Sequence, residues 1–224
     1  MGSQENETES TDRGRDSAER LLDAADTLMY ARGYHDVGVA ELCREAGVRP
    51  GSFYYYFPSK EALAAAMLER SWIRTEQRIF SPAFDDHDLD VLEAIERYAE
   101  LLEGNLRTLK NQSGVTVGCR FGNFATETAQ HLPLVRDVTR TVFENMTTWF
   151  ERLVARGQHH GRIEPDIDPK SAAMSLLALM EGFMVIAKAT DDPATIRRLA
   201  EEARRVLALP YTGRTTPSAS GPLG

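Results

Sequence analysis

Apolar residues recur every three to four positions along almost the whole chain, and this periodicity limits the possible folds more than any other feature. Ala18, Leu21, Leu22, Ala25, Leu28 and Met29 form one stripe; Leu92, Ile95, Tyr98, Ala99, Leu102 and Leu106 form another. Val138, Val142, Met146, Trp149, Phe150 and Leu153 repeat the pattern later in the chain. Such spacing puts side chains on one face of an α-helix, and no alternating strand pattern competes with it. The fold class is all-α.

Helix breakers and caps divide these stripes. Asp16 can cap a first helix that ends at Arg32-Gly33, where glycine readily takes the left-handed conformation. A short second helix runs from about Val39 to Ala46 and stops at Gly47. Pro50 suits the first turn of a brief third helix that ends near Phe57-Pro58, because its missing N–H costs nothing there. Ser59 caps a long fourth helix from Lys60 to about Ile79, and Ser81-Pro82 to Asp90 reads as a joint. Cys119 to Gln130, Leu134 to His159, Ala172 to Ala189 and a helix opened by Pro193 follow. A helix, a turn and a short helix in this order make a helix-turn-helix, whose second helix enters the major groove, although an ordinary helical hairpin has the same spacing. The expected organisation is a disordered acidic tail at 1–15, a helix-turn-helix domain at 16–62, a larger helical domain at 63–209 and a disordered tail at 210–224.

The chain carries 26 basic and 34 acidic side chains, a net charge of −8 that looks wrong for a protein meant to hold phosphates. Its distribution removes the difficulty. Basic and acidic residues balance between Arg13 and Arg74, so the acidic excess lies elsewhere and restrains non-specific binding. The opening residues lack the basic and apolar regions of a secretory signal, and the best apolar stretch, Ala172 to Ala187, is interrupted by Ser175, Glu181 and Gly182. A cytoplasmic protein with no membrane partner is expected. Cys43 and Cys119 are far apart, the five histidines are scattered, and no nucleophile or metal spacing is present. The chain is expected to be no enzyme and to use neither metal nor cofactor; a helical adaptor that binds protein would also explain the bundle and its acidity.

The run Gly33-Tyr34, Val39, Leu42-Cys43, Ala46-Gly47-Val48, Gly51, Phe53-Tyr54, Tyr56-Phe57, Ser59-Lys60-Glu61 and Leu63 resembles the N-terminal signature of the TetR family of transcriptional regulators. The resemblance implies a sequence-specific DNA-binding regulator, most often a repressor, released from a palindromic operator in double-stranded DNA by a small-molecule inducer. It implies that Arg49, Pro50, Gly51 and Ser52 begin the recognition helix, that Tyr55 faces the groove, that Tyr54 and Tyr56 reach phosphates and that Lys60 is a phosphate anchor. Phe53 and Phe57 then face inward. The sequence departs from the family pattern at Val37 and Gly38, where members commonly carry Thr and Ser, and at Arg49, which replaces a hydroxyl cap with a cation able to read guanine.

The same resemblance implies a homodimer joined through two helices of each subunit. Ala172 to Ile186 is apolar nearly all round, so Leu176, Leu177, Met180, Phe183 and Met184, with Leu199 and Val206 of the last helix, are the candidate interface; burial inside a monomer is the alternative. Cys119, Phe121, Phe124, Met146, Trp149 and Phe150 are the candidate lining of an effector pocket, against the plainer reading of aromatics as core. The string Gly118-Cys119-Arg120-Phe121-Gly122-Asn123 resembles a segment of some TetR-type regulators. Beside Arg120, Cys119 could hold a lowered pKa and sense electrophiles, or it could be inert packing.

Overall fold

The computed structural model describes residues 2–209, with side chains from Asp16 onward. The tail expected at 210–224 lies outside the described residues. Helix α1 spans Gly2–Arg32, so its backbone is helical well upstream of the Asp16 cap and through the segment expected to be a disordered tail. That segment carries Glu5, Glu7 and Glu9, with Arg13 and Arg15, and contains no proline to break a helix. At the other end Gly33, at φ +92°, donates its N–H to the Met29 carbonyl and closes α1 as the sequence implies.

Helix α2 (Val39–Glu45) begins at Gly38, which offers no side-chain cap, and ends before Gly47 at φ +61°. The third element is tighter than a regular helix: a 3₁₀ turn over Pro50–Ser52 leads into the single turn α3, Phe53–Tyr56. Ser59 caps α4 (Lys60–Thr75) by accepting the Ala62 N–H at 3.0 Å. The helix does not stop where expected. It widens into a π turn over Glu76–Phe80 and continues as α5, Ser81–Phe84, so the joint shrinks to Asp85–Asp90. Pro82 supplies the cause: in a regular helix its ring would meet the Arg78 carbonyl, and the π turn, with the Ser81 N–H reaching back to Glu76 O, relieves that crowding.

Asp90 opens α6 (Val91–Ser113) with a reciprocal capping box to Glu93. Then come α7 (Arg120–Thr128), α8 (Pro133–His159), α9 (Pro169–Ala189), a 3₁₀ turn over Pro193–Arg197 and α10 (Arg198–Val206). Among the described residues there is no strand. Helices α8 and α9 make the most extensive pairing, and α4 bridges the two halves by packing on both α1 and α8. Between α4, α5, α6 and α8 lies an aromatic cluster in which Tyr98 meets Phe80, Phe84 and Phe150 with ring centroids 5.0 to 5.5 Å apart.

Helix α9 is long and apolar enough by length and composition to cross a membrane, which corrects the expectation that no stretch approaches this. One carboxylate and two small residues do not offset the Leu, Met, Ile and Val around them. Packing within the subunit covers only part of that apolar surface. Leu176, Leu177, Met180 and Met184 are buried against the rest of the subunit, whereas Met174, Val185 and Ile186 are 55, 63 and 47 % exposed. The residues expected at the interface, Leu199 included, therefore belong mostly to the subunit's own core, because a helix apolar on every side gives no sequence signal for which side faces inward. Phe183 is half-buried and Val206, at 36 %, stays on the surface.

Candidate nucleic-acid interface and effector cavity

The turn that carries the expected DNA-reading residues is fixed from one side only. Phe53 is fully buried and Phe57 packs partly against the core, so the backbone between them is anchored while the rest projects. Tyr54 and Tyr55 are 64 and 84 % exposed, and Arg49, Pro50 and Gly51 are exposed beside them. Ser52 is half-buried. Tyr56 packs partly on the core, its ring edge-on to Tyr55 at 5.1 Å, so two of the three tyrosines are free to reach outward. Arg49 is the N-terminal flank of the 3₁₀ turn and caps it with no side-chain hydrogen bond, which leaves its guanidinium available.

Lys60 is engaged within the protein. Its Nζ donates to the Tyr34 carbonyl at 2.8 Å and the Val37 carbonyl at 2.9 Å and lies 3.9 Å from the centroid of the Tyr34 ring. Burial pushes its pKa down, partly offset by the nearby Glu127 carboxylate. The lysine thus ties the α1–α2 turn to the start of α4 and acts by positioning rather than by reaching outward. Sequence reasoning saw its place at the helix start but not the carbonyls, which come from residues more than twenty positions away.

Among the described residues, α7 and the residues flanking it make several polar contacts that join this head to the body. The Tyr30 hydroxyl donates to the Gly118 carbonyl at 2.6 Å. Glu127 accepts the backbone N–H groups of Tyr34 at 3.1 Å and His35 at 2.9 Å, and Glu61 accepts the N–H of Leu134 at 2.8 Å. Arg120 forms an ion pair with Asp26 of α1, donates to Ser71 Oγ of α4 at 3.0 Å and stacks 4.0 Å over the Tyr30 ring. Desolvation brings the Arg120 pKa down to about 10, and it remains cationic at neutral pH.

The string Gly118 to Asn123 now has a physical reading. Gly118 takes φ +73°, and a side chain there would press on the Met184 carbonyl at 3.3 Å. Cys119 caps α7 through its sulfur, Asn123 ties Val117 O at 2.8 Å and Lys188 at 3.2 Å, and Gly122 leaves room for Glu181, whose Oε2 a Cβ there would meet. Cys119 does not have the lowered pKa that its neighbour invited. Its side chain is buried, Arg120 turns away to Asp26, and desolvation followed by the Glu181 carboxylate pushes the thiol well above its ordinary value.

Behind Arg120 lies a cavity of about 180 Å³ between α1, α4, α6, α7, α8 and α9. Of the six residues expected to line a pocket, Cys119, Phe121 and Met146 do so. Phe150 is packed into the aromatic cluster, Phe124 is buried under α7, and Trp149 borders a different concavity with His87 and Arg156 while its Nε1–H donates to Glu76 at 2.9 Å. Sequence reasoning missed Asp26, Tyr30, Arg74, Arg78 and Tyr98. The polar residues Ser71, Arg74, Thr75 and Arg78 recur at helical spacing along α4 and into the π turn, a legible stripe whose facing partners only the tertiary fold supplies.

Comparison with known proteins gives two family matches along the chain. Residues 21–67 match the family of bacterial regulatory proteins described as the tetR family, and residues 94–203 match the tetracyclin repressor-like C-terminal domain. The chain is 28% identical over 167 residues to the HTH-type transcriptional repressor DhaR of Mycobacterium sp. strain GP1, covering 75% of this chain and 80% of that protein. It is 45% identical to the repressor NemR of Escherichia coli K12 over 64 residues, 29% of this chain and 32% of that one. The crystal structure of reduced E. coli NemR superposes with a TM-score of 0.75 at 25% identity, covering 87% and 98% of the two chains.

Proposed function

The chain belongs to the TetR family of bacterial regulatory proteins, and on that premise we propose that it holds a palindromic operator as a homodimer and releases it when a small molecule occupies the cavity behind Arg120. It is a DNA-binding transcriptional regulator and not an enzyme. Members of the family bind DNA and small-molecule effectors and act as dimers. Residues 16–62 are the reading head and 63–209 the sensing and pairing body, with α4 shared between them. A cytoplasmic location follows from the need to reach DNA.

The exposed Tyr54 and Tyr55 beside Arg49, on a turn pinned by buried Phe53, carry this reading. Tyrosine hydroxyls on rigid rings donate to phosphates at small entropic cost, and an arginine at the start of the turn can read guanine in bidentate fashion. Pro50, Gly51 and Ser52 bring the backbone close to the groove. Tyr56 supports the pair from the side, and Lys60 holds the turn that carries them.

One such turn reads too little DNA for useful affinity, so pairing is required. Met174, Ala178, Gly182 and Val185 lie on the outward face of α9 at helical spacing, with Ile186 beside them and Val206 of α10 also exposed. This face, rather than the buried Leu176, Leu177, Met180 and Met184, is assigned to the partner. Selection of bound duplexes from a random DNA pool, combined with a gel-filtration mass, tests the reading. A palindrome bound by a dimer is the expected result; a folded protein that enriches no duplex would reject it.

A further inference from the structure

The cavity behind Arg120 is basic in a chain whose net charge is −8. Arg74, Arg78 and Arg120 line it, against a single carboxylate, that of Asp26. Arg120 lies deep and is held by Asp26 and Ser71. Arg74 stands toward the mouth, 3.7 Å from Asp26 and 3.9 Å from Asp23, distances too long for firm pairing. Arg78 is exposed and makes no hydrogen bond or ion pair among the described residues. The opposite wall holds Tyr98, fully buried, whose hydroxyl also lacks a hydrogen-bond partner. Buried hydroxyls are nearly always paired, so an unpartnered one lining a cavity marks the place of a ligand's polar atom or a water. Phe80, Met146 and Met180 make the remaining surface apolar.

We propose that this cavity takes a small organic monocarboxylate, whose carboxylate replaces Asp26 on Arg120 and whose apolar body lies against Phe80 and Met146. The proposal rests on the reading of the cavity as the effector site. The excess of cations decides the sign of the ligand: an anion gains charge-assisted hydrogen bonds, a cation meets repulsion. Volume decides its size. At about 180 Å³ the space is close to the roughly 150 Å³ of an engineered apolar cavity that takes benzene, so it admits one ring or a short chain with a headgroup at the arginines.

Exchange at Arg120 also supplies the coupling. Asp26 belongs to α1 of the head and Arg120 to α7 of the body, so a carboxylate that takes over the guanidinium severs an ionic tie between them. Two carboxylates crowding one guanidinium repel each other, which makes the choice a switch between an internal partner and an external one. By linkage, whatever weakens the internal pair strengthens the ligand.

Calorimetric titration of the full chain with propionate, hexanoate and benzoate, each against its neutral amide, tests the assignment. At least one carboxylate is expected to bind about tenfold or more tightly than its amide, the effect of charge-assisted hydrogen bonds. Arg78→Gln should weaken that carboxylate about fivefold with the ligand-free melting temperature unchanged, because the arginine has no internal partner. Asp26→Asn should tighten it and loosen the selected duplex without ligand. Binding of none of the three acids, equal binding of the amides, or no loss in Arg78→Gln would overturn the anion assignment; an Asp26→Asn variant that binds the acid no better would overturn the exchange. Failure to select any duplex would count against the regulator reading alone, since the titrations need no DNA.

Discussion

The seam between head and body is tied by polar contacts as well as by the shared apolar core, whereas the packing of α8 on α9 rests on buried apolar side chains. Across the seam run Tyr30 to Gly118, Asp26 to Arg120, Glu127 to two backbone N–H groups and Glu61 to Leu134. Inside the body, Val142, Met146, Phe150, Leu176, Leu177 and Met180 are buried side chains with few polar partners. Apolar packing scales with area and tolerates little rearrangement, because displaced surface must stay dry. A polar contact can be exchanged for another of the same geometry at small net cost. The body is thus a fixed frame, and the seam is where a ligand or a mutation can reset the position of the head.

The largest expected effect breaks the frame. Phe150→Ala would remove a ring from the aromatic cluster and should cost about 3 to 5 kcal/mol, read as a lower denaturant midpoint of the whole chain. A cost below about 1 kcal/mol would mean that the cluster is loosely packed. Glu127→Ala should act on the seam instead, leaving the Tyr34 and His35 N–H groups without their acceptor at about 1 to 2 kcal/mol. Hydrogen exchange would then speed up at residues 34 and 35 and stay unchanged in α8 and α9; uniform acceleration would erase the distinction between the two regions. Lys60→Ala comes next, at about 1 kcal/mol, since two carbonyls lose a donor but stand near solvent. Its loss of DNA affinity should be similar for all sequences, which fluorescence anisotropy on matched and scrambled duplexes would show.

The smallest effect concerns Glu181, where a carboxyl is set into the body. Burial raises its pKa, with the Cys119 hydrogen bond a partial offset, and its Oε1 has no hydrogen-bond partner. A raised folded-state value means that its stabilising contribution is complete below the ordinary carboxylate range, near about pH 4, and declines as pH rises through the folded value. Glu181→Gln should remove that slope, so that the melting temperature of the variant gains on the parent as pH rises from the ordinary carboxylate range to neutrality. Parallel melting curves across that range would contradict the burial.

Much of this was legible in the sequence because the signals are local. Gly33 and Gly47 end helices, Ser59 caps one, and Pro50 and Pro193 open turns where the amide is dispensable. The shape of the turn over residues 50–56 was legible for the same reason, its aromatics alternating between anchored Phe53 and exposed Tyr54 and Tyr55 within a few residues. What stayed hidden is set at long range. The partners of Lys60, Arg120 and Tyr30 lie 23 to 88 positions away, or in Asp26 on another helix. The inward side of α9 could not be read because Leu177 and Val185 carry the same apolar signal, and only packing distinguishes them.

The π turn at Glu76–Phe80 has a consequence for protein engineering. It holds one residue more per turn than the helix on either side, so it sets the rotational phase between α4, which the head shares, and α5, which feeds Phe84 to the aromatic cluster. Forcing the same five residues into regular α geometry would turn everything beyond by about 100° and swing Phe84 away from Tyr98. A chimera that grafts a foreign head onto this body keeps its core only if the splice lies upstream of Glu76 and preserves residue count through Phe84. One joined inside the turn would align well on paper and arrive out of phase.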